Sequence, residues 1–413
     1  MKVAAIIAEY NPVHNGHAWM LREAKRLSGA DLVVVLLGAN FTERGECAIC
    51  DMHLRTQMAL DIGADLVLAL PVHYSTGSAE FFARGAVSIL SRLGAVDVLA
   101  FGSECADTAI LQRFADVLYE EPSEYVEELK DCLKAGMSFP AARSRALAEY
   151  MDLSAEEEEI LKNPNDILGI EYLKALRSLK VVSVEPLAVE RKGGDHNDET
   201  VSDYASASAI RSALKERSGL KKLGYTMPGD AFDMLGIWYG NRLPVYTDDF
   251  SRVLNAALLK HASEGFESFY DVSKEVADRI ALHISGLGSF THLIELLKTR
   301  DVTYSRVMRS LNHIMLDLKK DSVNEYIEHG YSEYVRLLGM RKETAGPVLN
   351  LIKKSGEIEL ISKLSDAHRI LSPLGGAMLE EDIFSAHLFN AVVADKFGSP
   401  FRNEYREQVI VLS

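Results

Sequence analysis

Four short apolar runs mark the first hundred residues, at 3–8, 31–38, 64–70 and 96–102. Each is continuous rather than alternating, the pattern of a strand covered on both faces. The intervals between them carry amphipathic helical patterns over 18–27, 53–62 and 79–93. This β-α-β-α rhythm predicts a parallel sheet with helices on both faces. Residues from about 105 to 180 read mostly as helices, with an acidic stretch at 155–159. The run 185–189 predicts one more strand, and a helix follows over roughly 206–216. From about Gly224 onward helix-length amphipathic segments dominate and the strand rhythm stops. The pattern therefore predicts an α/β, Rossmann-like domain over 1–220 and a mainly α-helical domain over 221–413, joined near 218–225.

A chain of 413 residues is too long for one ordinary core, in keeping with that division. No apolar run approaches the roughly 20 residues of a membrane helix, so no membrane span is expected. The first residues enter a strand-like segment with no signal-peptide cleavage region. Four cysteines imply no disulfide framework, and the expected location is the cytoplasm. A net charge of −15 argues against broad, non-specific nucleic-acid binding and confines any RNA-binding surface to one local basic face.

Glu9-Tyr10-Asn11-Pro12-Val13-His14-Asn15-Gly16-His17 closes the first predicted strand and opens the next helix. Ligands bind at that edge of an open parallel sheet. A helix N-terminus offers N–H groups and a positive dipole end to phosphates. His14 and His17 add donors for charge developing on the phosphates, and Gly16 allows close backbone approach. A second motif is Ser206-Ala207-Ser208-Ala209-Ile210-Arg211. Its hydroxyls suit a helix cap or phosphate oxygens, and Arg211 suits a pyrophosphate leaving group. Read alone, it is also a plain capped helix with a solvated arginine.

The two motifs together resemble the HxGH nucleotidyltransferase superfamily related to class I tRNA synthetases. The string Glu9 to His17 resembles more closely the tRNA(Met) cytidine acetate ligase family. So do Arg44-Gly45-Glu46 with Ala48, Ile49 and Asp51, then Phe101-Gly102-Ser103-Glu104, then Asn165 to Tyr172 and Arg191-Lys192-Gly193. Segments 306–316 and 334–339 extend the likeness over nearly the whole chain. Three positions depart from the family pattern: Val13 and Asp195 stand where aromatic residues are common, and Met52 where lysine is.

The resemblance implies an ATP-dependent ligase that makes acetyl-adenylate from acetate and acetylates N4 of the wobble cytidine of elongator tRNA(Met). It implies a nucleotide loop over Ile7-Ala8-Glu9-Tyr10-Asn11-Pro12-Val13-His14-Asn15-Gly16-His17-Ala18-Trp19-Met20. Gly102 would lie beside the nucleotide, Asn165 would bind the adenosine part, and Arg191 the phosphates or base. His14, His17 and Arg211 would be catalytic, with Ser206 and Ser208 on the leaving group. Asn165 could equally cap the helix beginning near Asp166. Arg191 precedes Lys192-Gly193-Gly194, a turn able to close over a phosphate. Magnesium would come with ATP and take few protein ligands, so no metal site is expected. The lone Cys47-Ala48-Ile49-Cys50 lacks a second ligand pair and reads as coincidence.

For tRNA, the charge in the helical region points to Arg306, Arg309 and Arg336, with Lys298, Arg300, Lys319, Lys320, Arg341, Lys342, Lys353 and Lys354 around them. Arg306 and Arg309 share a helix face, and Tyr304 and Tyr334 are candidates to stack on bases. Lys215, Arg217, Lys221 and Lys222 add charge at the junction. The alternatives are a small-molecule nucleotidyltransferase, which leaves the helical region unexplained, and an RNA-binding protein with a relict ATP site, which intact His14, Gly16, His17 and Arg211 oppose.

Overall fold

The computed structural model describes residues 1–193, 203–216 and 219–413. Gly194, Asp195 and Arg217 lie outside the described residues, as does part of the expected 218–225 junction.

The predicted parallel strands form as β1 (Val3–Ala8), β2 (Leu32–Leu37), β3 (Leu66–Ala69), β4 (Val98–Ser103) and β5 (Glu185–Glu190). Alternate residues of β2 explain why its run is unbroken. Leu32, Val34 and Leu36 enter the core on one face, and Val33, Val35 and Leu37 the core on the other. Helices α1 (Asn15–Ser28) and α2 (Met52–Asp61) follow β1 and β2. The sheet runs β5-β4-β1-β2-β3, so the chain winds one way from β1 to β3 and the other way from β4 to β5. The reversal opens a crevice at the carboxyl ends of β1 and β4, where α/β sheets bind ligands.

The strand rhythm does not end at residue 224. Strand β6 (Tyr334–Arg341) lies antiparallel on β3, and β7 (Glu359–Ile361) and β8 (Ile410–Leu412) pair parallel with β6. Pattern reading misses β6 because Arg336 interrupts its apolar run, and β7 and β8 because each has three residues.

The helices between Ser251 and Glu328 build a separate apolar cluster. Phe41, from the segment after β2, enters that cluster, its ring 5.3 Å from Phe250 and 6.2 Å from Phe389. The helical part thus packs directly on a loop at the ligand edge of the sheet. Among the described residues, no helix is long and apolar enough to cross a membrane.

Candidate active site

A cavity of about 670 Å³ opens at the crevice. From the first motif it is lined by Ile7, Ala8, Glu9, Tyr10, Asn11, His14, Gly16, His17 and Met20, and from elsewhere by Gly102, Asn165, Arg191, Ser206 and Arg211. Pro12, Val13, Asn15, Ala18, Trp19 and Ser208 stand outside its lining. Val13 is buried in the core. Asn15 donates its side-chain amide to the carbonyls of Asp203 and Tyr225, each at 2.8 Å. Trp19 donates to the Glu190 carbonyl at 3.3 Å and carries the Lys192 ammonium over its ring at 3.6 Å. These residues tie α1 to its neighbours and leave the cavity to the others.

The two histidines form a capping box. His14 is the N-cap of α1, and its Nδ1 accepts from the Gly16 N–H at 3.1 Å. The His14 N–H donates to His17 Nδ1 at 3.3 Å, and the rings stack with centroids 3.7 Å apart. With its Nδ1 accepting, the neutral His14 ring keeps its proton on Nε2. Burial pushes His14 down to about 3, with Arg191 and Arg211 adding to the effect. Burial, His14 and Arg191 likewise hold His17 well below the usual histidine range, against the pull of the Pro12 carbonyl. Both imidazoles are therefore neutral donors at physiological pH.

The free N–H groups expected at the start of α1 are taken. Asn15 N–H donates to the Thr226 carbonyl at 3.0 Å, Gly16 N–H to the His14 ring, and His17 N–H to the His14 carbonyl at 2.9 Å. The helix end contributes its dipole, with no acidic residue in its first turn to oppose an anion. Specific donors must come from the side chains. Gly16 is required by crowding, since a Cβ there would lie 2.9 Å from His14 Cε1.

Arg211 leaves the helix Ala207–Ala213 and donates to the Asn11 carbonyl at 3.0 Å and to Ser208 Oγ at 3.2 Å. Glu46 lies 3.4 Å from it. Ser206 caps that helix, its Oγ accepting from the Ala209 N–H at 3.0 Å. Gly102 sits against Arg191, whose Cγ would be 3.2 Å from an added Cβ. A larger residue there displaces the arginine before it meets any ligand.

Asn165 does not cap its helix. The helix Pro164–Ser178 has Asn163 as N-cap, while Asn165 donates to Glu104 Oε1 at 2.5 Å. Glu104 also accepts from the Asp166 N–H at 3.1 Å, and buried Asp166 accepts in return from Ser103 Oγ at 2.5 Å and the Glu104 N–H at 3.0 Å. This reciprocal lock fixes the end of β4 against the helix and sets Asn165 beside Arg191.

Sequence reasoning assigned no role to Arg55. It is fully buried on α2 and donates to the carbonyls of Glu9 (2.6 Å), Gly38 (3.0 Å), Ala39 (2.6 Å) and Cys50 (3.2 Å). It gathers the ends of β1 and β2 and the following loop. The available signal was an arginine on a helix whose polar residues gather on no single face. Cys47 and Cys50 are buried, and burial pushes the Cys50 thiol up to about 12, far from the thiolate that metal or redox chemistry needs.

The basic residues chosen for tRNA separate into two kinds. Arg336 is a correction: it is buried in β6 and donates to Glu404 at 2.9 Å, so no phosphate reaches it. Tyr334 is another, buried with its hydroxyl 2.5 Å from Asp382. Arg309 is mostly covered and donates to Asp271 at 3.0 Å. Arg306 is half-exposed, next to Ser305, which lines the cavity.

The model of the HIGH Nucleotidyl Transferase family matches residues 1–402. A tRNA(Met) cytidine acetate ligase from Acetivibrio thermocellus is 37% identical, with both chains covered in full. One from Halothermothrix orenii is 33% identical over 99% of each chain. The apo crystal structure of Thermotoga maritima TmcAL superposes with a TM-score of 0.92 at 29% identity, and its form bound with alpha-thio ATP with a TM-score of 0.89, each covering both chains in full.

Proposed function

From the premise that the chain belongs to the tRNA(Met) cytidine acetate ligase family of HIGH nucleotidyl transferases, we propose that it makes acetyl-adenylate from acetate and ATP and acetylates N4 of the wobble cytidine of elongator tRNA(Met). In the first step an acetate oxygen attacks the α-phosphorus and pyrophosphate departs. The His14 Nε2–H and the stacked His17 ring stabilise charge growing on the phosphate oxygens. Arg211, with Ser206 and Ser208, orients the pyrophosphate, and Arg191, Gly102 and Asn165 hold the nucleotide. In the second step the cytidine amine attacks the acetyl carbonyl and AMP leaves. Positioning dominates, because no side chain here is a covalent nucleophile.

One observation carries this reading: two stacked imidazoles on the cavity wall, locked at the start of α1 by backbone N–H groups. Magnesium, when bound, neutralises phosphate charge. It would take few protein ligands, with phosphate oxygens and water supplying most of them. The tRNA grip would lie in the 221–413 region, a reading supported by Arg306 standing next to Ser305 of the cavity lining, and the enzyme would act in the cytoplasm. The test is radiolabelled acetate with ATP, with and without bulk tRNA. Label should enter tRNA only when all three are present, and nucleotide binding without turnover refutes the reading.

A further inference from the structure

The loop between β2 and α2 holds an acid that the first step does not use. Glu43 lines the cavity, beside Arg44 and Glu46. The loop is stiff. Phe41 bridges Cys47, Thr42 N–H donates to the Glu46 carbonyl at 2.9 Å, and Gly45 N–H donates to the Thr42 carbonyl at 2.8 Å. Gly45 has φ +80, and a Cβ on it would lie 2.8 Å from the Arg309 backbone nitrogen. Only glycine fits that turn so close to the helix Tyr304–Met315. At its other side the loop is pinned to the end of β1, the Glu43 N–H donating to Glu9 Oε1 at 2.7 Å. Glu9 thereby uses a carboxylate oxygen on the backbone. Among the described residues nothing hydrogen-bonds the Glu43 carboxylate, which lies where the helical region meets the nucleotide cavity.

We propose that Glu43 binds the exocyclic amine of the incoming cytidine and takes up the proton that this amine loses on acetylation; the inference rests on the acetyl-transfer reading above. A carboxylate accepts from cytidine N4–H and repels the O4 of a uridine at the same place. The N4 lone pair attacks the acetyl carbonyl carbon and the new C–N bond forms. The bond from that carbon to the phosphate oxygen breaks, and AMP leaves with its electron pair. The amine proton passes to the Glu43 carboxylate and then to solvent. The groups facing the acid suit the task. Burial pushes Glu43 up to about 6, Arg309 from the helical region and Arg44 on its own loop pull it down, and Glu9 from the end of β1 pushes it up. The hydroxyl of Tyr172 faces both acids and stays protonated, held well above the usual range by burial. A base near 6 is largely ionised at neutral pH and still accepts a proton from the reacting amine.

The experiment compares two rates in one variant. Glu43→Gln should lower acetyl transfer to tRNA by about 100-fold more than it lowers acetate-dependent ATP–pyrophosphate exchange. The rise of the transfer rate with pH near 6 should vanish in that variant, and Glu43→Asp should restore part of both. Equal losses in the two rates overturn the proposal, since Glu43 then serves the nucleotide. An unchanged transfer rate with the pH rise intact also overturns it, and gives the proton to the phosphate of the leaving AMP. Absence of acetate-dependent exchange in the unsubstituted enzyme would instead overturn the acetyl-transfer reading itself.

Discussion

Two buried arginines brace the same sheet, Arg55 from α2 and Arg336 from β6, and they are treated differently. Arg55, under the ligand edge, donates to backbone carbonyls and, among the described residues, makes no ion pair with a carboxylate. Arg336, in the outer strand β6, sits 2.9 Å from Glu404, which also lies 3.1 Å from His53 and is almost fully buried. Near the cavity the cationic contacts are looser still, Arg211 being 3.4 Å from Glu46 and Arg191 3.8 Å from Glu104. Where an anionic ligand is to arrive, positive charge is left weakly compensated and arranged by carbonyls. Where none arrives, it is neutralised, and the ion pair fastens the C-terminal segment to the sheet.

The contrast predicts that the two regions fail in different ways. The largest effect belongs to Arg336→Met, which leaves Glu404 short of its partner and should cost about 3–5 kcal/mol of stability. Chemical denaturation measures that loss, while exchange kinetics at low temperature should be unchanged. Burial raises the Glu404 carboxyl, but His53 and Arg336 outweigh it and hold it below the usual range. Its stabilisation is therefore present above the unfolded carboxyl value and is lost as pH falls through the lower folded one. His17→Ala should show the converse, a fall of about 10²–10³-fold in pyrophosphate exchange with the denaturation midpoint nearly kept. If His17→Ala unfolds the protein, or Arg336→Met slows chemistry, the distinction between the regions is wrong.

Smaller effects sharpen the picture. Gly102→Leu should raise the KM for ATP by roughly tenfold, equivalent to about 1.4 kcal/mol, because the new side chain displaces Arg191. Arg306→Ala should weaken tRNA binding and lower the slope of affinity against salt by about one, with exchange unaffected. Smallest is the pH response of the histidines. Since His14 is pushed down to about 3 and His17 lies well below its usual value, exchange should show no inflection near 6.5. The unfolded imidazoles bind protons below about 6.5 that folded His14 refuses until about 3. Their contribution to stability is complete above that range and declines as pH drops through it, which thermal melts at stepped pH would record.

The ligand edge was far more legible than the outer strand β6. Strands β1 to β4 announce themselves because both faces of each are buried, which leaves no polar alternation to confuse the pattern. The HxGH string identifies its own site, since crowding at Gly16 and the capping geometry depend on neighbours in sequence. Arg336 and Arg309 were misjudged for a single reason: the sequence displays a charge but not its partner, and Glu404 and Asp271 lie 68 and 38 positions away. Asn165 looked like a cap because caps are local, whereas its partner Glu104 is 61 residues back. Glu43 and Arg55 gave little signal because their meaning depends on where loops converge.

The antiparallel pairing of β6 with β3 sets the order in which the protein can be completed during synthesis. The strand that ends at Ala69 gains its outer neighbour only after Tyr334 has been made. Until then the nascent chain presents an open, apolar strand edge, the kind of surface that invites association with other chains. Shortened versions ending before residue 334 inherit that defect permanently, so the helical region cannot be trimmed away to yield a free-standing nucleotide-binding half.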